Sequence, residues 1–182
     1  MEPRAPGARG VIWYVARSAG IVAYLLLSSS VVLGALMAGR VPLSWPKFAV
    51  EQVHRFLAIL TGVFIVIHGG SLLLDNVVPF SLRQELVPFT SSYRPITVAF
   101  GVVTAELLAA VGISNALRKQ LPRTTWRKIH YLTIPAWLFA TAHGIFTGTD
   151  RLDPWFAGIA GMSIAAAVVA LGSSFAARSA AA

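Results

Sequence analysis

The chain has 182 residues, of which 56% are hydrophobic and only 12% are charged, whereas a soluble domain carries about a quarter charged residues. This composition, with several long apolar runs, argues against an ordinary soluble domain and indicates an integral membrane protein. Cysteine is absent, which excludes disulfides, zinc–thiolate sites and iron–sulfur clusters. The formal charge of +8 does not indicate a nucleic-acid partner, because basic loop residues are the ordinary topology signal of membrane chains.

Five apolar stretches are long enough to cross a membrane, for which a helix needs about 20 residues. Prolines or aspartates follow the first four of them, as expected at helix ends. The sequence predicts an all-α bundle of five transmembrane helices in the lipid bilayer, forming one domain over residues 1–182. No G-x-G-x-x-G motif of a nucleotide-binding module is present. In chain order, the predicted spans are Ala19–Gly39, Glu51–Leu74, Pro95–Leu117, Lys128–Thr147 and Trp155–Ala177.

Basic residues divide unequally between the two sides of this bundle. Loops 1–2 and 3–4 and the C-terminal tail hold nine lysines and arginines, and the other side holds six. The richer side is expected in the cytoplasm, so we predict a multi-pass protein of the cell membrane, with its N-terminus outside and its C-terminus inside. Arg4 and Arg9 before the first apolar run also fit a cleaved signal peptide. Loop 2–3, residues 75–94, is apolar enough to lie on the outer interface.

All four histidines fall in the second and fourth predicted spans. His54 and His68 are 14 residues apart and His130 and His143 are 13 apart, which gives axial separations of about 21 and 20 Å. The two spans run in the same direction, because one span intervenes. We therefore expect His54 level with His130 near the cytoplasmic face, and His68 level with His143 near the outer face.

Each level then offers two imidazoles on neighbouring helices, as bis-axial haem ligation requires. A tetrahedral zinc site requires three or four converging ligands, which the spacing of the histidines does not supply. Two other interpretations stay open: one haem, with the other pair serving structure or quinone binding, or histidines that only hydrogen-bond between helices. Thirteen residues also leave His143 about 140° from the face of His130, and we expect a kink at Pro135 to reduce that mismatch.

Several neighbouring residues fit haem binding. Arg55, Arg127 and Lys128 lie beside the cytoplasmic pair, where haem propionates need positive partners, although the same residues also fit the topology signal. Glycines near the histidines in sequence, which would let a flat macrocycle approach the backbone, are Gly62, Gly69, Gly70 and Gly144.

Three further features allow more than one interpretation. Trp126 and Tyr131 are interpreted as interface anchors rather than electron relays. Glu106, in the third span, could serve a proton path, contact a haem edge or make an interhelical hydrogen bond. The glycines and alanines of the fifth span indicate close helix packing or a docking face for a partner.

The sequence resembles the ferric reductase-like transmembrane domain, which is shared by ferric reductases, NADPH oxidases and the haem subunit of the bacterial methionine-sulfoxide reductase system. The resemblance is carried by His54-Arg55 with His68 and by Trp126-Arg127-Lys128-Ile129-His130-Tyr131 with His143. Arg17-x-x-Gly20 and the stretch His143-Gly144 followed by Gly148-Thr149-Asp150 look like the bacterial branch.

The resemblance implies two b-type haems, one between His54 and His130 and one between His68 and His143. It also implies electron flow between a cytoplasmic donor and an outer acceptor. Larger members carry a C-terminal FAD- and NAD(P)H-binding module, which this sequence lacks, so we expect a separate redox partner, either a flavoprotein or a quinone. A small transporter or scaffold with structural histidines is the alternative.

Overall fold

The computed structural model describes residues 10–75, 80–148 and 153–180. Every regular element in these ranges is a helix. Val77, Val78 and Asp150, which the sequence placed in loops, lie outside the described residues. The seven helices in the described ranges are α1 (Val11–Ala38), α2 (Lys47–Leu74), α3 (Leu82–Leu86), α4 (Pro95–Ala116), α5 (Arg123–His130), α6 (Thr133–Thr147) and α7 (Pro154–Ser179).

Four of these helices, α1, α2, α4 and α7, are long and apolar enough to cross a membrane. They contain most or all of the first, second, third and fifth predicted spans, and α1 and α2 extend beyond the predicted N-terminal limits. The predicted helical class and membrane location are therefore confirmed.

The fourth predicted span is two helices, not one continuous helix. Helix α5 ends at His130, Tyr131 and Leu132 form a turn, and α6 begins at Thr133. Pro135 explains the position of this break, because a proline lacks the N–H that would bond the carbonyl of residue 131 and its ring collides with that carbonyl. With 15 residues, α6 is about 22 Å long, which is shorter than the four long helices.

Helix α1 is the centre of the packing. It contacts α2, α6 and α7, and α4 packs against α6 and α5. The buried core joins Leu27 and Val31 of α1 to Trp137 of α6 and Ala167 of α7. Trp137 donates its indole N–H to Ser28 Oγ at 3.0 Å. The buried polar group in this contact between α1 and α6 therefore has a hydrogen-bond partner.

Helix α7 packs closely on α1 through small residues. A Cβ added to Gly39, directly after α1, would lie 2.4 Å from the Cα of Ser174, which leaves no room for a side chain there. By contrast, a Cβ on Gly158 or Gly161 would meet nothing within 4 Å. The buried face of α7 is thus formed mostly by alanine and serine: Ala160, Ser163, Ala167, Ala170 and Ser174.

Helix α3 lies near the C-terminal end of α2. A capping box of Ser81 and Gln84 fixes its start. The carboxylate of Glu85 lies against Gly69 of α2, since a Cβ there would be 3.1 Å from Glu85 Oε2. Burial raises the pKa of this carboxyl to about 7, because desolvation disfavours the charged form.

Candidate functional site

The structure brings the four histidines together as two pairs. The ring centres of His54 and His130, the first pair, are 6.1 Å apart at an interplanar angle of 66°. Those of His68 and His143, the second pair, are 6.4 Å apart at 79°. Each pair joins the two histidines that the spacing placed at one level, and the two levels are about 21 Å apart along α2.

The break between α5 and α6 removes the rotational mismatch between His130 and His143. His130 is the last residue of α5, whereas His143 lies eleven positions into α6. The two residues therefore belong to separate helices, and the 100° per residue of a continuous helix does not apply across the turn. The turn that separates the two helices lies at Tyr131 and Leu132, not at Pro135 itself.

The ring separations fit one metal between each pair of imidazoles. With metal–nitrogen distances of about 2 Å, and about 1.1 Å from the ligating nitrogen to its ring centre, two trans imidazoles have ring centres about 6 Å apart. Among the described residues no group of three histidine, cysteine or acidic side chains could hold a metal ion. The donor set of each site is therefore two imidazoles, which suits a macrocycle that brings its own four ligands.

Three of the four histidines are oriented by backbone carbonyls of a neighbouring helix. His68 Nδ1 donates to the carbonyl oxygen of Ala16 at 2.7 Å, and His143 Nδ1 to that of Thr97 at 2.8 Å. His54 Nδ1 donates to the carbonyl oxygen of Ser30 at 3.0 Å. Because a carbonyl only accepts, Nδ1 carries the proton and Nε2 keeps its lone pair, which is the tautomer of a metal-ligating histidine.

Glycines on the neighbouring helices give these rings their space. Cβ atoms built on Gly20 and Gly34 of α1 would lie 2.9 Å from His68 Nδ1 and 3.2 Å from His54 Cε1. One built on Gly101 of α4 would lie 2.7 Å from His143 Nδ1. Each of these glycines lies four positions after the residue whose carbonyl accepts the hydrogen bond from the histidine, so the carbonyl and the glycine share one helix face.

Sequence reasoning did not connect these glycines with the histidines, since it considered glycines on the histidines' own helices and named Gly20 only as part of the family resemblance. Cβ atoms on Gly62 and Gly70 would meet nothing within 4 Å, and one on Gly144 would meet Phe156. A signal was present in the chain: Gly20 and Gly34 are 14 residues apart, like His54 and His68.

Between the pairs, helices α2 and α6 do not pack closely along their described backbones. Helix α2 packs on α1 instead, and its two histidines face His130 of α5 and His143 of α6 across the intervening space. Only Val50 and Thr61 of α2 are buried. Large apolar side chains along it are exposed, Val66 to 73% and Phe56 to 60%. Such an exposed apolar surface is expected of a helix that faces lipid.

Charged side chains lie near both histidine pairs. Arg55, Arg127 and Lys128, predicted as propionate partners, are all exposed near the first pair, and Arg127 donates to the Tyr131 hydroxyl at 3.5 Å. Near the second pair, Arg17 follows Ala16 and stacks over the rings of Trp13 and Trp155 at 5.2 and 5.5 Å. Arg94 donates to the carbonyl of Phe146.

Two other residues differ from their sequence interpretation. Glu106 is exposed on α4 and makes no hydrogen bond to another described residue. Of the three roles considered for it, the interhelical hydrogen bond is therefore absent from the described part of the chain. Trp126 stacks on His130 with ring centres 5.1 Å apart and an interplanar angle of 24°. It therefore belongs to the first pair's surroundings and is not only an interface anchor.

Comparison with known proteins supports the resemblance seen in the sequence. The family described as ferric reductase like transmembrane component matches residues 19–141, which is about two thirds of the chain and includes His54, His68 and His130. The match ends two residues before His143. No curated protein and no solved structure matches the chain. The chain belongs to the ferric reductase-like transmembrane family and, as such, is a membrane redox component.

Proposed function

We propose that the chain is a membrane b-type cytochrome that carries electrons across the bilayer through two bis-histidine haems. The observation that carries this proposal is the geometry of the histidine pairs. Their ring-centre separations of 6.1 and 6.4 Å would let the two imidazoles of each pair hold one haem iron between them. At these separations the two rings of a pair are too far apart for a direct hydrogen bond between them. A hydrogen-bonding role therefore does not explain the spacing.

The residues around the pairs fit a haem. Carbonyl acceptors leave Nε2 free on three of the four histidines, and such partners raise the basicity of the ligand. His54 and His130 would hold one haem, and His68 and His143 the other. When bound, the haem iron supplies one-electron chemistry by alternating between the ferric and ferrous states.

The protein's own residues then position and insulate these sites. Leu57 and Ile65, which share the histidine face of α2 by helical spacing and are half-buried, would exclude water and lower the local dielectric. Arg17 and Arg94 at one end, and Arg55, Arg127 and Lys128 at the other, are placed to neutralise propionates. The fourth span would be formed by α6 with α5, which completes the five predicted spans. Glu106, exposed at mid-span, is available for a proton path or for contact with a haem edge.

The charge distribution supports an orientation and a location. The nine basic residues on the side of the first pair favour the cytoplasm for that side, with the N-terminus outside the cell membrane. Electrons would pass between the two pairs, about 21 Å apart along α2. A separate redox partner, either a flavoprotein or a quinone, would exchange electrons with the chain.

The absorption spectrum of the purified protein tests this proposal. We expect a Soret band in the oxidised state and, after dithionite, a sharp α-band of six-coordinate b-type haem. A chain that is folded, as judged by its helical circular dichroism, but has no such bands after haem is supplied would contradict the proposal. That outcome would favour a transporter or scaffold in which the histidines serve structure.

A further inference from the structure

His130 is the exception among the four histidines. Its Nδ1 is buried and has no hydrogen-bond partner among the described residues, whereas His54, His68 and His143 each donate to a backbone carbonyl. Its position in the fold also differs. His130 ends the eight-residue helix α5, while the other three lie inside longer helices.

The cause lies on α4, where a backbone carbonyl and a glycine contact a histidine only at the level of His143. Thr97 and Gly101 serve His143. The position 14 residues after Thr97 is Val111, and the residue four positions further is Asn115, not glycine. The carbonyl of Val111 accepts a hydrogen bond from Ser114 Oγ at 2.8 Å. At the level of His130, Asn115 therefore stands where the pattern has glycine, and the Val111 carbonyl already accepts from Ser114. The nearby Gly112 does not contact His130, since a Cβ added there would meet nothing within 4 Å.

An aromatic stack takes the place of the missing hydrogen bond. Trp126, one helical turn before His130, stacks on the imidazole. Its indole N–H donates to Asn115 Oδ1 at 2.8 Å, so Asn115 holds Trp126 at the position where the pattern elsewhere has glycine. The guanidinium of Arg118 covers the indole at 4.4 Å from its centre. Trp126 thus contacts both Arg118 and His130.

We propose that Trp126 is the positioning residue of the first pair, and that this pair holds its haem less tightly than the second. The inference rests on the proposed haem function. A stack restricts the tilt of the imidazole and contributes about 0.5–1.5 kcal/mol, but it does not fix which ring nitrogen carries the proton. Loss of an outer-shell hydrogen-bond partner typically weakens metal binding about 10–100-fold.

The test is the kinetics of haem loss from the purified wild-type chain to excess apomyoglobin. We expect two phases of equal amplitude, the faster one about 10–100-fold faster than the slower. Trp126→Ala should speed only the faster phase and convert one of the two haems from low-spin to high-spin. Trp126→Phe, which keeps an aromatic ring, should restore the low-spin spectrum. Trp45→Ala is the matched control, because Trp45 is 62% exposed.

The outcomes separate this inference from the proposed function. A single phase for both haems would overturn the inference and leave the cytochrome proposal intact. So would a Trp126→Ala variant that speeds the slower phase or keeps both haems low-spin. Gly101→Ala, beside His143, assigns the phases independently, since it should remove the slower phase and leave the faster one unchanged. A wild-type chain without haem would overturn the proposed function itself.

Discussion

Replacing Gly101 with alanine tests whether the helix facing a histidine sets the geometry of its site. The new Cβ would lie 2.7 Å from Nδ1, 2.8 Å from Cε1 and 3.1 Å from Cγ of His143. These contacts involve a ring that is held to the Thr97 carbonyl at 2.8 Å. The ring therefore cannot move away by several tenths of an ångström without lengthening that hydrogen bond.

The size of the effect follows from three contributions. Overpacking a filled site costs about 1–3 kcal/mol, and the weakened hydrogen bond adds up to about 1 kcal/mol. Alanine recovers about 0.5–1 kcal/mol relative to glycine inside a helix. We therefore expect Gly101→Ala to lower the free energy of unfolding by about 1–3 kcal/mol, and to displace His143 from its ligating position.

The assay is the haem-to-protein ratio, with unfolding in SDS as the stability measurement. Gly101→Ala should lose the haem of the second pair and keep that of the first. The control is Gly112→Ala on the same helix, where an added Cβ meets nothing within 4 Å, so it should keep both haems and full stability. The reasoning would be refuted if Gly101→Ala kept both haems with an unchanged spectrum, or if Gly112→Ala lost as much haem.

Two further predictions concern the fold. Ser28→Ala removes the acceptor of the buried Trp137 indole and should lower the free energy of unfolding by about 0.5–2 kcal/mol. The double variant with Trp137→Phe should show non-additive losses in SDS unfolding, and strictly additive losses would contradict this coupling. Glu85 has a pKa of about 7 in place of 4.5, so between these values the folded chain binds the extra proton. The stability of the α3 segment should accordingly fall as pH rises from 4.5 to 7. Hydrogen exchange, corrected for intrinsic rates, should detect this loss of protection in residues 84–87, and Glu85→Gln should abolish it; the same pH dependence in that variant would contradict it.

The helices and the pairing of the histidines could be predicted from the sequence. Long apolar runs specify the helices because a bilayer requires about 20 such residues. The even number of chain reversals places His54 and His130 at one level and His68 and His143 at the other. Both are consequences of spacing and connectivity, which a sequence states directly.

The break after His130 and the surroundings of the histidine rings could not be predicted in detail from the sequence. Pro135 indicated a distortion, but its ring acts on the carbonyl one turn earlier, so the break lies at Tyr131 and Leu132. The carbonyls that orient the histidines are backbone groups, which every residue has, so no residue type in the sequence indicates them. Trp126 was interpreted as an interface anchor, because stacking on His130 depends on how α5 ends.

The number of haems per chain tests the central claim most directly. Haem and protein should be quantified together, by pyridine haemochrome and amino-acid analysis, in the wild-type chain and in His68→Ala. The account predicts two haems b per wild-type chain and one in His68→Ala, because the first pair does not involve His68. Absence of haem from the folded wild-type chain, or an unchanged ratio in His68→Ala, would contradict it.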